Sequence, residues 1–207
     1  MILTKKAFSL IEVLITLAIF SIVTAGAFWI VIVSSRDGAI IWEQLVTQNE
    51  GKKAVEHVIN YVRKAETSSA GAYALDTADP YDLIFYANVD NDSMVEKVEF
   101  WVDDGGIFKQ TITKPSSTAS TNMYENGTPQ TTDLANNLTN FINEPHVPVF
   151  LYYDESYTGT QQDLGENFNL TDVRMVKIQL ELEKDPAKAP VPLHVESTVL
   201  IRSTKTN

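Results

Sequence analysis

Residues 8–33 form an uninterrupted apolar run, FSLIEVLITLAIFSIVTAGAFWIVIV, in which Glu12 is the only charged side chain. As an α-helix, this run would extend roughly 39 Å at ~1.5 Å per residue, which exceeds the ~30 Å hydrocarbon core of a bilayer. The run is also too long for the apolar region of a secretory signal peptide, which has roughly 7–15 residues. The sequence therefore predicts a membrane-spanning helix at residues 8–33.

The charges on either side of this run predict its orientation and limit the partners of the chain. Lys5 and Lys6 precede the run, and the chain as a whole has a net charge of −11. Basic residues flanking a span favour the cytoplasmic side, so we expect a single-pass protein of the inner (cytoplasmic) membrane with a cytoplasmic N-terminus and an extracytoplasmic domain. Direct nucleic-acid contact is not expected, because it requires a basic surface. Cysteine is absent, which excludes disulfides and thiolate chemistry.

The start of the apolar run carries a recognisable motif. Residues 6–17, KAFSLIEVLITL, resemble the prepilin signature of type IV pilins and type II secretion pseudopilins. In that family a short basic leader is removed at the start of the run, the new N-terminus is usually Phe, and the fifth mature residue is Glu. Phe8 and Glu12 occupy these positions here. The residue before the cut is usually Gly, whereas this chain has Ala7, which is small enough for the same peptidase pocket.

The resemblance implies cleavage by a prepilin peptidase between Ala7 and Phe8, N-methylation of Phe8, and an assembly contact made by Glu12. A charged side chain inside a span costs roughly 2.5–3.5 kcal/mol, so Glu12 needs a partner. The implied function is that of a structural subunit, not an enzyme, in a type IV pilus-like or type II secretion pseudopilus filament. The implied partners are the peptidase, other pilin or pseudopilin subunits, an inner-membrane assembly platform and the membrane.

Two loose resemblances near the C-terminus favour a minor, priming subunit of the J-type pseudopilin kind. They lie at the strand end 150–154 and in the final strand pair, residues 172–174 and 199–203. A pilus, a secretion pseudopilus and a competence filament are all compatible with these residues. The alternative is a monomeric single-pass anchor carrying an extracytoplasmic binding domain or enzyme, although a plain anchor does not explain Glu12. Motifs of metalloproteases and serine hydrolases are absent from the sequence.

The pattern after the apolar run predicts the rest of the fold. The helix is predicted to continue through residues 34–67, because apolar residues recur there at close to helical spacing: Ile41, Leu45, Val55, Val58, Ile59 and Val62. Residues 103–106, DDGG, predict a hairpin turn, residues 114–132 a surface loop and residues 133–141 a short helix. Strands are predicted at 81–88, 95–102, 107–113, 147–153, 173–183 and 193–203.

The predicted fold class is α+β, with a long N-terminal membrane-spanning helix whose C-terminal half packs on an antiparallel β-sheet domain, as in pilins. The predicted organisation has four parts. They are a leader peptide (1–7), a transmembrane helix (8–33), a continuation of that helix (34–67) and an extracytoplasmic β-rich globular domain (68–207).

One stretch has the oxygen-rich composition of a cation site. Asn88, Asp90, Asp92 and Glu96 alternate with other residues, as the oxygen ligands of a calcium loop do. The stretch lacks the glycine and the distant bidentate Glu of a complete EF-hand loop. The favoured interpretation is an Asx-rich turn between two strands with no cofactor, and calcium binding is the alternative.

Overall fold

The computed structural model describes residues 9–90, 92–116, 123–142, 145–165, 167–184 and 192–202, without the side chains of residues 36, 37, 39 and 40. Within these residues, the α-helix α1 (Leu10–Val62) is followed by eight strands, with a short 3-10 helix (Leu170–Asp172) between the sixth and the seventh. The chain divides into two compact units, Met1–Gln44 and Leu45–Asn207. The predicted α+β fold class is confirmed, since a long apolar N-terminal helix precedes an antiparallel β-sheet domain.

The N-terminal part of α1 has the length and composition of a membrane span over Leu10–Ser35. No residue in its most apolar stretch is buried, and Trp29, for example, has 69% of its surface exposed. Hydroxyl groups in this segment bond back to the helix itself: Thr16 Oγ1 donates to the carbonyl oxygen of Val13 at 2.9 Å, and other Ser and Thr side chains do the same. Because these hydroxyls are satisfied internally, they fit an apolar environment.

The C-terminal part of α1 buries an apolar stripe within the second unit. The stripe consists of Ala54, Val55, Val58, Ile59 and Val62, at the i, i+3, i+4 and i+7 spacing that places side chains on one helix face. We expected this stripe to extend back to Ile41 and Leu45, but both are more than half exposed.

The strands form two antiparallel sheets. The first sheet has the order β1 (Leu75–Ala78), β2 (Asp82–Ala87), β3 (Glu96–Val102), β4 (Phe108–Lys114) and β5 (Thr128–Ala135). The second has the order β6 (Phe150–Tyr153), β7 (Met175–Leu182) and β8 (Leu193–Leu200). Both sheets contribute large buried side chains to one core, including Phe85, Phe100, Phe108, Phe150 and Ile178.

Helix α1 contacts both sheets. Tyr61 packs edge-on against Phe100 of β3, with ring centroids 6.0 Å apart. Gly51 faces β7 so closely that an added Cβ would lie 2.4 Å from the Cδ1 atom of Leu182. A glycine at this position therefore lets the helix approach the second sheet.

Local patterns predicted six of the strands, most to within two residues at each end; β6 begins three residues later than predicted and β8 ends three residues earlier. The hairpin between β3 and β4 turns at residues 103–106, where Gly106 has φ of +73°, a conformation that glycine adopts without strain. Alternation along β7 places Val176, Ile178 and Leu180 in the core. Strand β1 was not predicted from the sequence.

Three predictions about the connections were wrong or inexact. Residues 114–132 were predicted to be a loop and 133–141 a short helix, but β5 spans Thr128–Ala135 and pairs with β4. After β5, Leu138 forms an isolated bridge with Leu182 of β7, so this segment buries its apolar residues without helical structure. Helix α1 also ends at Val62 rather than near residue 67, because the backbone from Ala65 onward pairs with the end of β2.

Candidate functional sites

The N-terminal motif is partly described by the structure. Ala7 and Phe8 lie outside the described residues, so the predicted cleavage and methylation positions remain predictions. Glu12 lies in the first turn of α1 and is exposed. A carboxylate in the first turn of a helix is favoured by the helix dipole. Around it, Leu10, Ile11, Val13 and Leu14 are also exposed, so the isolated chain presents one acid on an apolar helix surface.

The loop between β2 and β3, residues 88–96, is called the acidic loop here. It brings together Asp90, Asp92 and Glu96, whose ligand oxygens lie within 4.8 Å of one another. Glu96 is only 1% exposed and accepts a hydrogen bond from the Val89 N–H at 2.9 Å. Burial raises the pKa of Glu96, and the charges of Asp90 and Asp92 add to this effect. The sequence spacing therefore correctly predicted that Asp90, Asp92 and Glu96 lie close together.

Asn88 shares the loop, and its Oδ1 atom is buried with no hydrogen-bond partner among the described residues. Its Nδ2 donates to the carbonyl oxygen of Asp92 at 2.7 Å. Asp90 Oδ1 accepts from the Asp92 N–H, and Asp92 Oδ1 accepts from the Met94 N–H at 2.7 Å. Bonds of this i to i+2 kind are typical of Asx turns, the local structure that the sequence predicts here.

A lysine from β4 already supplies a positive charge to the acidic loop. Lys114 Nζ pairs with Asp90 Oδ2. The hydrogen bond with Lys114 lowers the pKa of Asp90, and the same bond raises the pKa of Lys114. Because this ammonium group partly neutralises the clustered carboxylates, the loop has less need of a metal ion.

We therefore expect calcium and a chelator to leave the melting temperature (Tm) of the full chain, in a non-ionic detergent, unchanged. A ligand that binds only the folded state would raise Tm. The matched variant Lys114→Met removes the ammonium group and is expected to lower Tm in chelator. A rise of several degrees in the wild-type Tm on adding calcium would show instead that the acidic loop binds the ion.

A second region, which the sequence did not reveal, surrounds the turn between β1 and β2. We call it the Pro80 cleft. The turn is closed by the Asp79 N–H, which donates to the carbonyl oxygen of Asp82 at 2.8 Å, and the Pro80 carbonyl accepts from the N–H groups of Val149 and Phe150. Two cavities of about 510 and 380 Å³ adjoin the turn and share Asp79, Pro80 and Tyr81 in their walls.

The side chains of the Pro80 cleft come from several distant strands. Tyr152 from β6 and Phe168 line the larger cavity, with ring centroids 5.4 Å apart. Glu99 and Trp101 from β3 line the smaller one together with Asp82. A proline turn flanked by two acids, Asp-Pro-Tyr-Asp, was the available sequence signal. It indicated a turn but not a cavity, because the opposite walls come from other strands.

Asp82 is electrostatically unusual. Its Oδ1 atom is buried and has no hydrogen-bond partner among the described residues. Burial raises the pKa of Asp82 to about 6, with further contributions from the charges of Glu99 and Asp79. Burial likewise raises the pKa of Tyr152 well above its ordinary value, and Asp79 and Asp82 again contribute. The cleft is therefore a region of concentrated negative charge.

His57 and His194 lie on different elements and have different partners. His57 Nε2 lies 2.9 Å from Gln110 Oε1, and its ring packs against Tyr61. His194 lies near Glu196, on β8. These contacts give His57 a packing and hydrogen-bonding role within the fold.

Comparison with known proteins identifies the N-terminal motif. Residues 3–28 match the sequence model of a family described as the prokaryotic N-terminal methylation motif. No curated protein and no solved structure matches the chain significantly. The matched residues include Ala7, Phe8 and Glu12, and the motif points to a structural subunit rather than an enzyme. The chain thus carries the N-terminal signature of type IV pilins and type II secretion pseudopilins, followed by an apolar helix and an antiparallel β-sheet domain.

Proposed function

We propose that this protein is a structural subunit of a type IV pilus-like or type II secretion pseudopilus filament, assembled through its N-terminal helix. The observation that carries the proposal is that the methylation motif, residues 3–28, overlaps helix α1 from Leu10 to Phe28, where the apolar side chains are exposed. A surface of this kind is stable only in lipid or against other apolar surfaces. A filament subunit meets both environments in turn, because it is stored in the lipid membrane and then packs against the apolar helices of other subunits.

Processing prepares the subunit for assembly. A prepilin peptidase removes residues 1–7, which include Lys5 and Lys6, and leaves Phe8 as the N-terminal residue, which is then N-methylated. Cleavage converts a neutral amide nitrogen into an amine with an unperturbed pKa of about 7.7–8.0. Methylation keeps this positive charge. The globular domain lies outside the cytoplasm, in keeping with the positive charges before the span.

Glu12 then pairs with the N-terminal amine of a neighbouring subunit. A lone carboxylate in an apolar span is costly, and an opposite charge at low dielectric offsets that cost. Because the pair forms only at one axial offset between helices, it sets the register of the subunits. The inner-membrane platform assembles the filament, and this chain has the role of a minor, priming subunit.

The second candidate is a monomeric membrane-anchored domain that binds a ligand or catalyses a reaction outside the cytoplasm. The Pro80 cleft is the observation that favours it, since pockets lined by aromatic and charged side chains are common at binding sites. This candidate gives no role to the position of Glu12 within the methylation motif.

The two candidates differ in where the protein is found. Filaments sheared from cells, or cross-linked within the envelope, are expected to contain this chain bonded to other pilin-type subunits. An unrelated single-pass membrane protein provides the control for membrane contamination. Recovery of this chain only as a membrane monomer, without cross-links to such subunits, would favour the second candidate.

A further inference from the structure

The described residues that line the two cavities of the Pro80 cleft include several carboxylates and no basic side chain. Asp79, Asp82 and Glu99 lie around the smaller cavity, and Asp163 lines the larger one. Like charges held close together repel one another, and burial of Asp82 adds a desolvation cost. The free energy of the unbound cleft is thus raised, which a bound cation would offset.

The neighbouring lysines are used elsewhere. Lys97 is the basic side chain whose charge acts on Asp82, but its Nζ pairs with Asp76 at 2.9 Å. Lys109 lies over the Trp101 ring, with Nζ 5.4 Å from the ring centroid, and pairs with Asp103 at 2.9 Å. Neither lysine donates to Asp82 Oδ1, which has no partner among the described residues. A cation from outside the described chain would offset the charge of this desolvated carboxylate.

The walls of the cleft select the kind of cation. A divalent metal ion requires six or more oxygen ligands in a close shell, and here Tyr81, Trp101, Tyr152 and Phe168 form much of the wall. Aromatic faces instead suit an organic cation, whose charge they attract and whose methylene groups they cover. A lysine or arginine side chain combines a positive end that donates hydrogen bonds with such a stem.

We propose that the Pro80 cleft binds a basic side chain, lysine or arginine, presented by a partner polypeptide, with the cationic group at Asp82 and the stem against the aromatic wall. The net charge of −11 favours encounter with basic partners. The two cavities, about 510 and 380 Å³, accommodate one such side chain together with flanking backbone. This interaction is separate from filament assembly through the N-terminal helix and does not depend on it.

The test measures binding of small probes to the full chain in a non-ionic detergent by ligand-detected NMR. N-acetyl-lysinamide and N-acetyl-argininamide are the cationic probes, and N-acetyl-norleucinamide is the uncharged control of similar shape. We expect the cationic probes to bind and the norleucine derivative not to bind. Comparison of the two cationic probes shows which basic side chain fits better.

Matched variants locate the interaction. Asp82→Asn keeps the shape of the side chain and removes its charge, so we expect about a tenfold or larger loss of affinity. Asp133→Asn removes a charge from β5, where Asp133 lies near Lys109 instead of lining the cleft, and should leave binding unchanged. Glu99→Gln is a second cleft variant, with a smaller expected loss because Glu99 is not the residue with the unpaired buried oxygen.

The pH dependence provides an independent measurement. Because a cation prefers the ionised carboxylate, affinity for the cationic probes should rise as the pH passes the Asp82 pKa of about 6 and should level off roughly one pH unit higher, where Asp82 is almost fully ionised. The charged and titratable groups that act on Asp82 are Glu99 and Lys97 of β3 and Asp79 of the turn, and Tyr152 of β6 stays neutral over this range. Asp82→Asn should flatten the profile.

Several results would overturn the proposal. Equal affinity for the lysine and norleucine derivatives would show that charge is not recognised. Unchanged binding by both Asp82→Asn and Glu99→Gln would place the probe elsewhere. Binding of calcium ions with no binding of either cationic probe would assign the cleft to a metal ion. Asp82→Asn is expected to fold with a Tm at least equal to that of the wild type at neutral pH, because it removes a desolvated charge.

Discussion

Glu12→Leu is expected to remove the protein from filaments while leaving its membrane insertion and processing intact. Leucine makes the span more apolar, so insertion becomes more favourable. Leucine cannot pair with the N-terminal amine of a neighbouring subunit, which then remains an unpaired cation in an apolar interface. Losing one partner of a buried charge pair costs several kcal/mol. The fraction of the chain in filaments should therefore fall at least about tenfold.

This result is measured by comparing the sheared filament fraction with the membrane fraction on a blot. Thr16→Leu is the matched control, since it makes the same helix surface more apolar one turn further on and removes no charge. Its hydroxyl donates to the Val13 carbonyl of its own helix, so we expect normal incorporation. Wild-type levels of Glu12→Leu in filaments would show that the carboxylate is not an assembly contact.

Ala7→Phe is expected to block removal of the leader. The peptidase of the family that this motif resembles accepts a small residue before the cut, and a phenyl ring exceeds the space that Ala or Gly needs. Unprocessed chain should accumulate in the membrane, retaining residues 1–7, and should be absent from filaments because the Phe8 amine is never released.

Ala7→Gly provides the control for this second experiment. It restores the residue most common before the cut and should be processed at least as well as the wild type. Intact mass measurement distinguishes the two forms, because the leader contributes seven residues. Complete maturation of Ala7→Phe would contradict the assignment of Ala7 to the cleavage position.

The fold was predictable where structure follows from local pattern. The alternation along β7 and the Asp-Asp-Gly-Gly turn before β4 are each encoded in a few consecutive residues. Strand β5 was missed because its Thr-rich sequence has one fully buried side chain, Ala135. Strand β5 is held in place by its pairing with β4 rather than by burial of its own side chains. Its composition therefore resembles that of a loop.

The acidic loop could be predicted from local sequence, whereas the Pro80 cleft could not. Asp90, Asp92 and Glu96 were predicted to lie close together because they are only two to six positions apart in one loop. The role of Lys114 was not predictable, since it reaches the loop from β4. The Pro80 cleft was missed because Asp82 is local to its turn, whereas Glu99 and Tyr152 arrive from two other strands.

The mature N-terminus is the most direct test of the central claim that this chain is a processed filament subunit. The measurement is the mass and sequence of the N-terminal peptide of the protein isolated from its native membrane. We predict a chain that begins at Phe8 and carries one methyl group on its α-amine. A chain that begins at Met1, with Lys5 and Lys6 retained, would contradict this account and would favour a membrane-anchored monomer.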